Sequence, residues 1–279
     1  MSQVLYVTLT RGIIVEGRAD GLTQVWTMQR QPGLPYTPIR YTPEEPVYEI
    51  GTGSVIDFNS FAYRVVYSSL TRPHEWWDIA IDTLAKSVVK RKEVYNYDPS
   101  LYVVERHTAI APDGVAVSIS MVRSKDLDMT KPHPTMLYGY GSYGICIDPS
   151  WDMTLLPYLS RGIIYCIAHI RGGGENGRAW YETHGKYLTK RNTFQDFISC
   201  AEYLLDKGIT TSSQLAIEGR SAGGLLMGAV VNMRPDLFAV VVAGVPFVDV
   251  MTTMCDPSIP LTTGEWEVKN LLSSVNISL

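Results

Sequence analysis

Several features that define other classes of protein are missing from this sequence. No stretch approaches the 18 or so consecutive apolar residues that a membrane-spanning helix needs. Met1 to Arg11 lacks the basic head, apolar centre and small-residue cleavage site of an export signal. No His-Glu-x-x-His sequence and no Walker-type phosphate loop is present. We therefore expect no membrane span, no metal ion and no organic cofactor.

Cysteine is scarce, and its spacing suggests neither a metal site nor a redox pair. The four cysteines, Cys146, Cys166, Cys200 and Cys255, are far apart. Cys166 and Cys200 lie in apolar runs, the usual setting of buried reduced thiols. The net charge of −4 is opposite in sign to that of a typical nucleic-acid-binding surface. We expect a cytoplasmic protein that binds neither nucleic acid nor membranes.

The first hundred residues have the pattern of short antiparallel strands. Turn sequences such as Ala19-Asp20-Gly21 separate runs rich in Val, Tyr, Trp and Thr. These runs are Val4–Thr10, Gln24–Met28, Arg64–Ser68 and Trp76–Ile81. Trp26 and Trp76-Trp77 recur about fifty residues apart, which is the period of a β-propeller blade. A plain antiparallel sheet would explain the same pattern.

From about residue 134 the pattern changes to alternating strands and helices. The predicted strands are Thr135–Tyr138, Gly162–Ile170, Gln214–Glu218 and Val240–Val245, and the predicted helices are 194–205 and Ala222–Met233. Continuously apolar strands are typical of a parallel sheet that helices cover on both faces. We expect an α/β fold after a junction at Tyr97-Asp98-Pro99, with the basic stretch Lys86–Lys92 before it as a solvated hairpin face.

A Gly-x-Ser-x-Gly sequence, Gly219-Arg220-Ser221-Ala222-Gly223, lies between a predicted strand and a predicted helix. A serine at the apex of such a turn has a strained backbone, and glycine on each side removes a Cβ that would clash. The turn also places the hydroxyl at a helix N-terminus, which favours developing negative charge. The pattern alone is weak, but its position between strand and helix predicts a nucleophile elbow with Ser221 as the nucleophile.

A nucleophilic serine needs a general base and a carboxylate that orients the base. In α/β-hydrolases the order along the chain is serine, acid, histidine. All five histidines precede Ser221: they are His74, His107, His133, His169 and His184. His169 and His184 belong to segments that should form neighbouring loops, but we expect neither to act as the base. The sequence therefore predicts an incomplete triad and a chain that is inactive as given.

Four motifs together resemble the prolyl oligopeptidase family of serine peptidases: they are Leu137–Gly144, Arg171–Glu175, Gly219–Gly224 and Arg234–Phe238. Gly264-Glu265-Trp266-Glu267 extends the resemblance to the oligopeptidase B branch of that family. The resemblance implies the C-terminal blades of a β-propeller over residues 1–98 and the N-terminal part of an α/β-hydrolase domain over 99–267. Residues 268–279 depart from the family pattern, so we expect a chain truncated at both ends.

The resemblance also implies catalytic roles. Ser221 would attack the peptide carbonyl. The backbone N–H of Ala222 and the hydroxyl of Tyr140 would form the oxyanion hole, where two donors meet the developing charge. The alternative for Tyr140 is an aromatic side chain packed in a glycine-rich loop.

Acidic residues would provide the substrate specificity that the resemblance implies. Glu265 and Glu267 would bind the Arg or Lys side chain of a short basic peptide, since two carboxylates neutralise a guanidinium well. Asp148 would form a second acidic subsite. The alternative for the glutamates is two solvated acids near the end of the chain.

Two other functions remain open at this point. A chain that keeps the acidic pair without a base would be a non-catalytic fragment or pseudoenzyme that binds peptides. A lipase or esterase shares the elbow, but His169-Ile170-Arg171-Gly172-Gly173-Gly174 resembles the oxyanion loop of those enzymes only superficially. The acidic pair would also have no use in a fatty acyl pocket.

Overall fold

The computed structural model describes residues 5–54, 57–254, 258 and 265. The first eight strands form two antiparallel sheets of four strands, each ordered as along the chain. The first sheet comprises β1 (Leu5–Leu9), β2 (Gly12–Ala19), β3 (Leu22–Gln29) and β4 (Pro38–Arg40). The second comprises β5 (Glu49–Thr52), β6 (Ala62–Ser68), β7 (Glu75–Ala80) and β8 (Lys86–Arg91). Four-stranded meanders of this kind are the units of a β-propeller.

One apolar core joins these two sheets. Ile14 and Val25 of the first sheet and Tyr67 and Trp77 of the second belong to a single buried cluster. The rings of Tyr67 and Trp77 stack with their centroids 4.1 Å apart. The edge strand β8 is mostly exposed, as predicted for its basic stretch, and its charged side chains protect that edge from further pairing.

The third sheet contains six strands in the order β14-β13-β11-β12-β10-β9. Their bounds are β9 (Tyr102–Ile110), β10 (Ala116–Ser124), β11 (Thr135–Tyr138), β12 (Ile164–Ala168), β13 (Leu215–Arg220) and β14 (Val240–Gly244). Strands β12, β11, β13 and β14 are mutually parallel, which confirms the predicted α/β arrangement. Strands β9 and β10 are antiparallel and were not predicted, because charged residues interrupt the apolar run of β9 and serines interrupt that of β10.

Five α-helices accompany this sheet in the described part of the chain: α1 (Leu156–Leu159), α2 (Arg178–Glu182), α3 (Arg191–Asp206), α4 (Ala222–Met233) and α5 (Val250–Met254). Phe197 of α3 and Leu226 of α4 are buried against Leu137 of β11. Cys166 and Cys200 are buried free thiols, as predicted, whereas Cys255 lies outside the described residues. None of the described helices is long and apolar enough to cross a bilayer.

Strand β14 differs from the buried strand that its sequence predicts. Val240, Val241 and Val242 are 53%, 38% and 41% exposed. The strand pairs with β13 along one edge, and no strand in the described ranges pairs with its other edge. An apolar sequence predicts burial, but it does not specify how many neighbours the strand has, so this prediction of burial is wrong for the described residues.

Candidate active site

Ser221 occupies a strained turn between β13 and α4. Its backbone has φ 58° and ψ −114°, a conformation that costs a non-glycine residue on the order of 1–3 kcal/mol. The Ser221 N–H donates to the Gly244 carbonyl at 2.9 Å, and the Ser221 carbonyl accepts from the Phe247 N–H at 3.1 Å. These contacts with β14 and the loop after it hold the turn. The side chain of Ser221 is exposed, as a nucleophile requires.

Glycines allow the backbone to approach itself closely around this turn. A Cβ added to Gly219 would overlap the carbonyl oxygen of Gly223, and a Cβ on Gly223 would lie 2.7 Å from the carbonyl oxygen of Gly139. A Cβ on Gly224 would lie 2.5 Å from the Cα of Pro246. Each of these distances is too short for a carbon atom, so the turn has the tight geometry that the Gly-x-Ser-x-Gly sequence predicts.

Two glycines of α4 provide a test of this close packing. We expect Gly223→Ala to lower the free energy of unfolding by about 1–3 kcal/mol, because the new methyl group would press on backbone that has no room to move. Gly228→Ala should raise it by up to about 1 kcal/mol, since a Cβ there meets nothing within 4 Å and alanine favours helix. Urea unfolding of the two variants measures both effects. Changes of the same sign would contradict the packing argument.

The loop after β11 places Tyr140 beside the elbow, because β11 is the neighbour of β13 in the sheet. The Tyr140 ring is half-buried, and its Cδ2 atom lies 3.5 Å from the position that a Cβ on Gly223 would take. Burial, with smaller contributions from Tyr143 and Glu265, raises the pKa of the Tyr140 phenol. The hydroxyl therefore keeps its proton at neutral pH and can donate a hydrogen bond. The Ala222 N–H, in the first turn of α4, is a second donor without an intrahelical partner.

Glu265 is buried and paired. Its side chain is 2% exposed; Oε1 accepts from Lys190 Nζ at 2.7 Å, and Oε2 accepts from the Tyr181 hydroxyl at 2.7 Å and the Tyr143 N–H at 3.1 Å. The alternative of a solvated acid is therefore wrong for Glu265. Glu267 lies outside the described residues. Sequence reasoning did not identify Lys190, because a single lysine 75 residues from its partner carries no pattern.

Asp148 connects the loop after β11 with the first sheet. Its carboxylate forms an ion pair with Arg18 of β2, with Arg18 Nη1 3.2 Å from Asp148 Oδ2. Both side chains are largely buried, at 14% and 20% exposure. Arg18 was not predicted, because the two residues are 130 positions apart in the sequence.

All five histidines of the chain lie in the described ranges, and none of them hydrogen-bonds the Ser221 hydroxyl. His169 is buried, with Nε2 2.7 Å from Ser120 Oγ. Burial, with help from the charges of Arg106 and Arg18, lowers the pKa of His169 to about 3. His107 contacts the hydroxyl of Tyr203. The described site therefore places the exposed Ser221 beside Tyr140 and the Ala222 N–H, with no histidine hydrogen-bonded to the Ser221 hydroxyl.

The Arg171–Glu175 loop is held by a buried ion pair. The Arg171 side chain donates from Nε and Nη2 to Asp196 of α3 and from Nη1 and Nη2 to Asp113. The Arg171 N–H also donates to Asp196 Oδ2 at 2.9 Å. The sequence singled out this loop only through its resemblance to a family, whereas the structure shows that it anchors the sheet to α3.

Comparisons with known proteins agree on one family. The family model described as "Prolyl oligopeptidase family" matches residues 149–271. Protease 2 of Moraxella lacunata is 41% identical over 91% of this chain. The solved structure of oligopeptidase B from Trypanosoma brucei with covalently bound antipain, in a closed form, is 52% identical over 95% of this chain, with a TM-score of 0.83. The structure of oligopeptidase B from Leishmania major is 50% identical over 96% of it, with a TM-score of 0.85.

This chain matches only part of each of these relatives. The chain covers 36% of the Moraxella protein and 39% of each of the two solved chains. It thus spans less than two fifths of their length.

Proposed function

Because this chain belongs to the prolyl oligopeptidase family, we propose that it carries the nucleophile and the oxyanion hole of a serine oligopeptidase. One observation carries the proposal: Ser221 lies exposed on a strained turn at the start of α4, beside the half-buried Tyr140. Ser221 Oγ would bond to the carbonyl carbon of a peptide. The Ala222 N–H and the Tyr140 hydroxyl would donate to the resulting oxyanion, a contribution of a few kcal/mol to the barrier.

The complete reaction also needs a proton acceptor. As the bond from Oγ to carbon forms, the serine proton passes to a general base, which returns it to the leaving amine when the C–N bond breaks. Water then attacks the acyl group on Ser221, with the same base taking a proton from the water and returning it to Ser221 Oγ. Since no histidine of this chain hydrogen-bonds the Ser221 hydroxyl in the structure, we propose that the chain by itself binds peptides without turning them over. The lack of a histidine partner for Ser221 thus favours a second candidate function, that of a non-catalytic chain that binds peptides.

Short peptides with Arg or Lys are the proposed ligands. A carboxylate offers about four acceptor positions, and protein donors occupy three on Glu265. We assign the main recognition of the cationic side chain to Glu267, with Glu265 in a supporting position. Asp148 would serve a second cationic side chain only by sharing its carboxylate with Arg18. Residues 1–98 belong, in this proposal, to a propeller and residues 99–267 to the peptidase domain.

Fluorophosphonate labelling tests for the missing base. We expect the purified chain, shown to be folded by circular dichroism, to give no more labelling than its Ser221→Ala variant. The reagent requires an activated serine, and no base removes the proton from Oγ. Labelling that disappears in Ser221→Ala would contradict this proposal and show that a base is present.

Peptide binding tests the specificity separately. We expect an arginine-containing peptide to bind at least about tenfold more tightly than the same peptide with citrulline, which keeps the shape without the charge. The preference should disappear in Glu267→Gln. Equal affinities in the unsubstituted chain, measured by calorimetry, would refute the preference for basic residues.

A further inference from the structure

Lys190 lies at the N-terminal end of α3, and its ammonium group is almost completely buried, at 4% side-chain exposure. Its Nζ atom donates to three acceptors at 2.7 Å each: the Gly141 carbonyl, Ser142 Oγ and Glu265 Oε1. An ammonium group has three donors, so all of them are used. Two of these acceptors belong to the loop that carries Tyr140.

Glu265 contacts the same loop from its other oxygen. Oε2 accepts from the Tyr143 N–H, and it also accepts from the hydroxyl of Tyr181, which belongs to α2. Lys190 and Glu265 therefore contact three consecutive loop residues, Gly141, Ser142 and Tyr143. An ion pair that served only to stabilise the core would not need to converge on one short loop in this way.

The loop needs such external support because its backbone is strained. Gly141, Tyr143 and Gly144 all have positive φ, at 68°, 60° and 65°. Tyr143 is not a glycine, so its conformation persists only if neighbouring groups hold it. The Gly144 N–H has one further anchor, the Gly172 carbonyl at 2.9 Å. Without Lys190, the buried Gly141 carbonyl and Ser142 hydroxyl would lose their only partners among the described residues.

We propose that Lys190 and Glu265 form a clamp that fixes the loop 139–144 and thereby sets the position of the Tyr140 hydroxyl. Lys190 is then a positioning residue that acts through Tyr140. The contribution of the clamp to catalysis rests on the proposed function, but its role in holding the loop 139–144 does not. Hydrogen-bond donors that are preorganised need no rearrangement when the oxyanion forms, which is the condition for effective stabilisation.

The positive charge of Lys190 follows from the number of acceptors that it contacts. A neutral donor such as Gln offers two N–H groups, whereas one ammonium reaches three acceptors in different directions. Burial lowers the pKa of Lys190, while the adjacent Glu265 carboxylate opposes that change. The attraction between the two charges thus offsets part of the desolvation cost of burying each of them.

Hydrogen exchange of the folded chain, followed by mass spectrometry, tests the clamp. We expect Lys190→Met to accelerate exchange of the amides in 139–146 by at least tenfold, while amides in the centre of α3 and in β12 keep their protection. Lys190→Arg, which retains the charge and the donors, should restore part of that protection. Lys207→Met is the matched control, because Lys207 follows the other end of α3 and is exposed.

The double variant Lys190→Met/Glu265→Gln separates the loss of support for the loop 139–144 from the cost of a buried charge. Lys190→Met leaves the Glu265 carboxylate buried without its cation, so it should lower the melting temperature. Adding Glu265→Gln removes that charge and should recover much of the melting temperature, but not the protection of 139–146. If Lys190→Met does not fold, the double variant supplies the exchange measurement.

Three results would overturn the clamp: unchanged exchange of 139–146 in the variants, acceleration spread evenly over α3 and the sheet, or the same acceleration in Lys207→Met. None of these measurements involves a substrate or Ser221. Failure of the peptide-binding or labelling experiments would therefore refute the proposed function and leave the clamp standing, and the reverse is also true.

Discussion

Replacing Arg171 with methionine is expected to lower the free energy of unfolding by about 3–5 kcal/mol. Methionine preserves much of the side-chain volume but removes the side-chain donors to Asp196, which is fully buried, and leaves only the backbone N–H at position 171. The aspartate would then be a buried charge without its partner, and burial already raises its pKa in the intact protein. Urea unfolding monitored by circular dichroism measures the loss.

Arg178→Met is the control for this experiment. Arg178 is 61% exposed and pairs with Glu182 one turn later in α2. Exposed pairs of this kind contribute a few tenths of a kcal/mol, so the control should change stability by less than about 0.5 kcal/mol. Comparable losses in the two variants would mean that the buried pair has no special role in anchoring the Arg171–Glu175 loop.

Replacing Glu175 with glutamine is expected to stabilise the protein at pH 8 by up to about 3 kcal/mol and to have little effect near pH 4.5. Burial raises the pKa of Glu175 from its ordinary 4.5 to about 7, and each pKa unit corresponds to about 1.36 kcal/mol. Its Oε1 accepts from the Ile147 N–H, while Oε2 is buried without a partner among the described residues. Glutamine keeps the acceptor for Ile147 and carries no charge.

The sign follows from the direction of the pKa change. A carboxyl group whose pKa is raised in the folded state favours folding while it is protonated, and that contribution is lost as the pH rises from about 4.5 to 7. The charged groups that act on Glu175 are Arg18, which favours the carboxylate, and Asp148, which opposes it. His169 lies 4.0 Å away but is neutral in this range because of its low pKa.

Unfolding at several pH values between 4.5 and 8 checks this prediction. The stability difference between Glu175→Gln and the unsubstituted protein should grow up to about pH 7 and then stay constant. Glu93→Gln, at an exposed position, should leave the pH dependence unchanged. A difference that does not vary with pH would refute the assignment to Glu175.

Much of the fold was predictable because its signals are local. Strand β11 and helix α4 match their predicted bounds, since an apolar run bounded by turns specifies a strand and a small-residue run after Gly-x-Ser-x-Gly specifies a helix. The elbow at Ser221 was predictable for the same reason. Its glycines and its serine are adjacent in the sequence, so one short motif contains the whole turn.

The environment of the site was not predictable in this way. The exposure of β14 depends on what lies beside it in the sheet, which its own five residues do not encode. The antiparallel pair β9 and β10 was missed because its strands mix polar and apolar residues, and their pairing depends on the opposite strand. Each of these features is a relation between segments.

The sequence by itself determined the tight turn at Ser221, the Tyr140 loop, the α/β alternation and the family resemblance, because each depends on residues that are close together along the chain. Only the tertiary structure revealed that Lys190 pairs with Glu265, that Arg18 pairs with Asp148, and that Arg171 is buried on Asp196. These pairs join residues that are 25 to 130 positions apart. Folding brings them together, and their energies come from burial, which a sequence pattern does not specify.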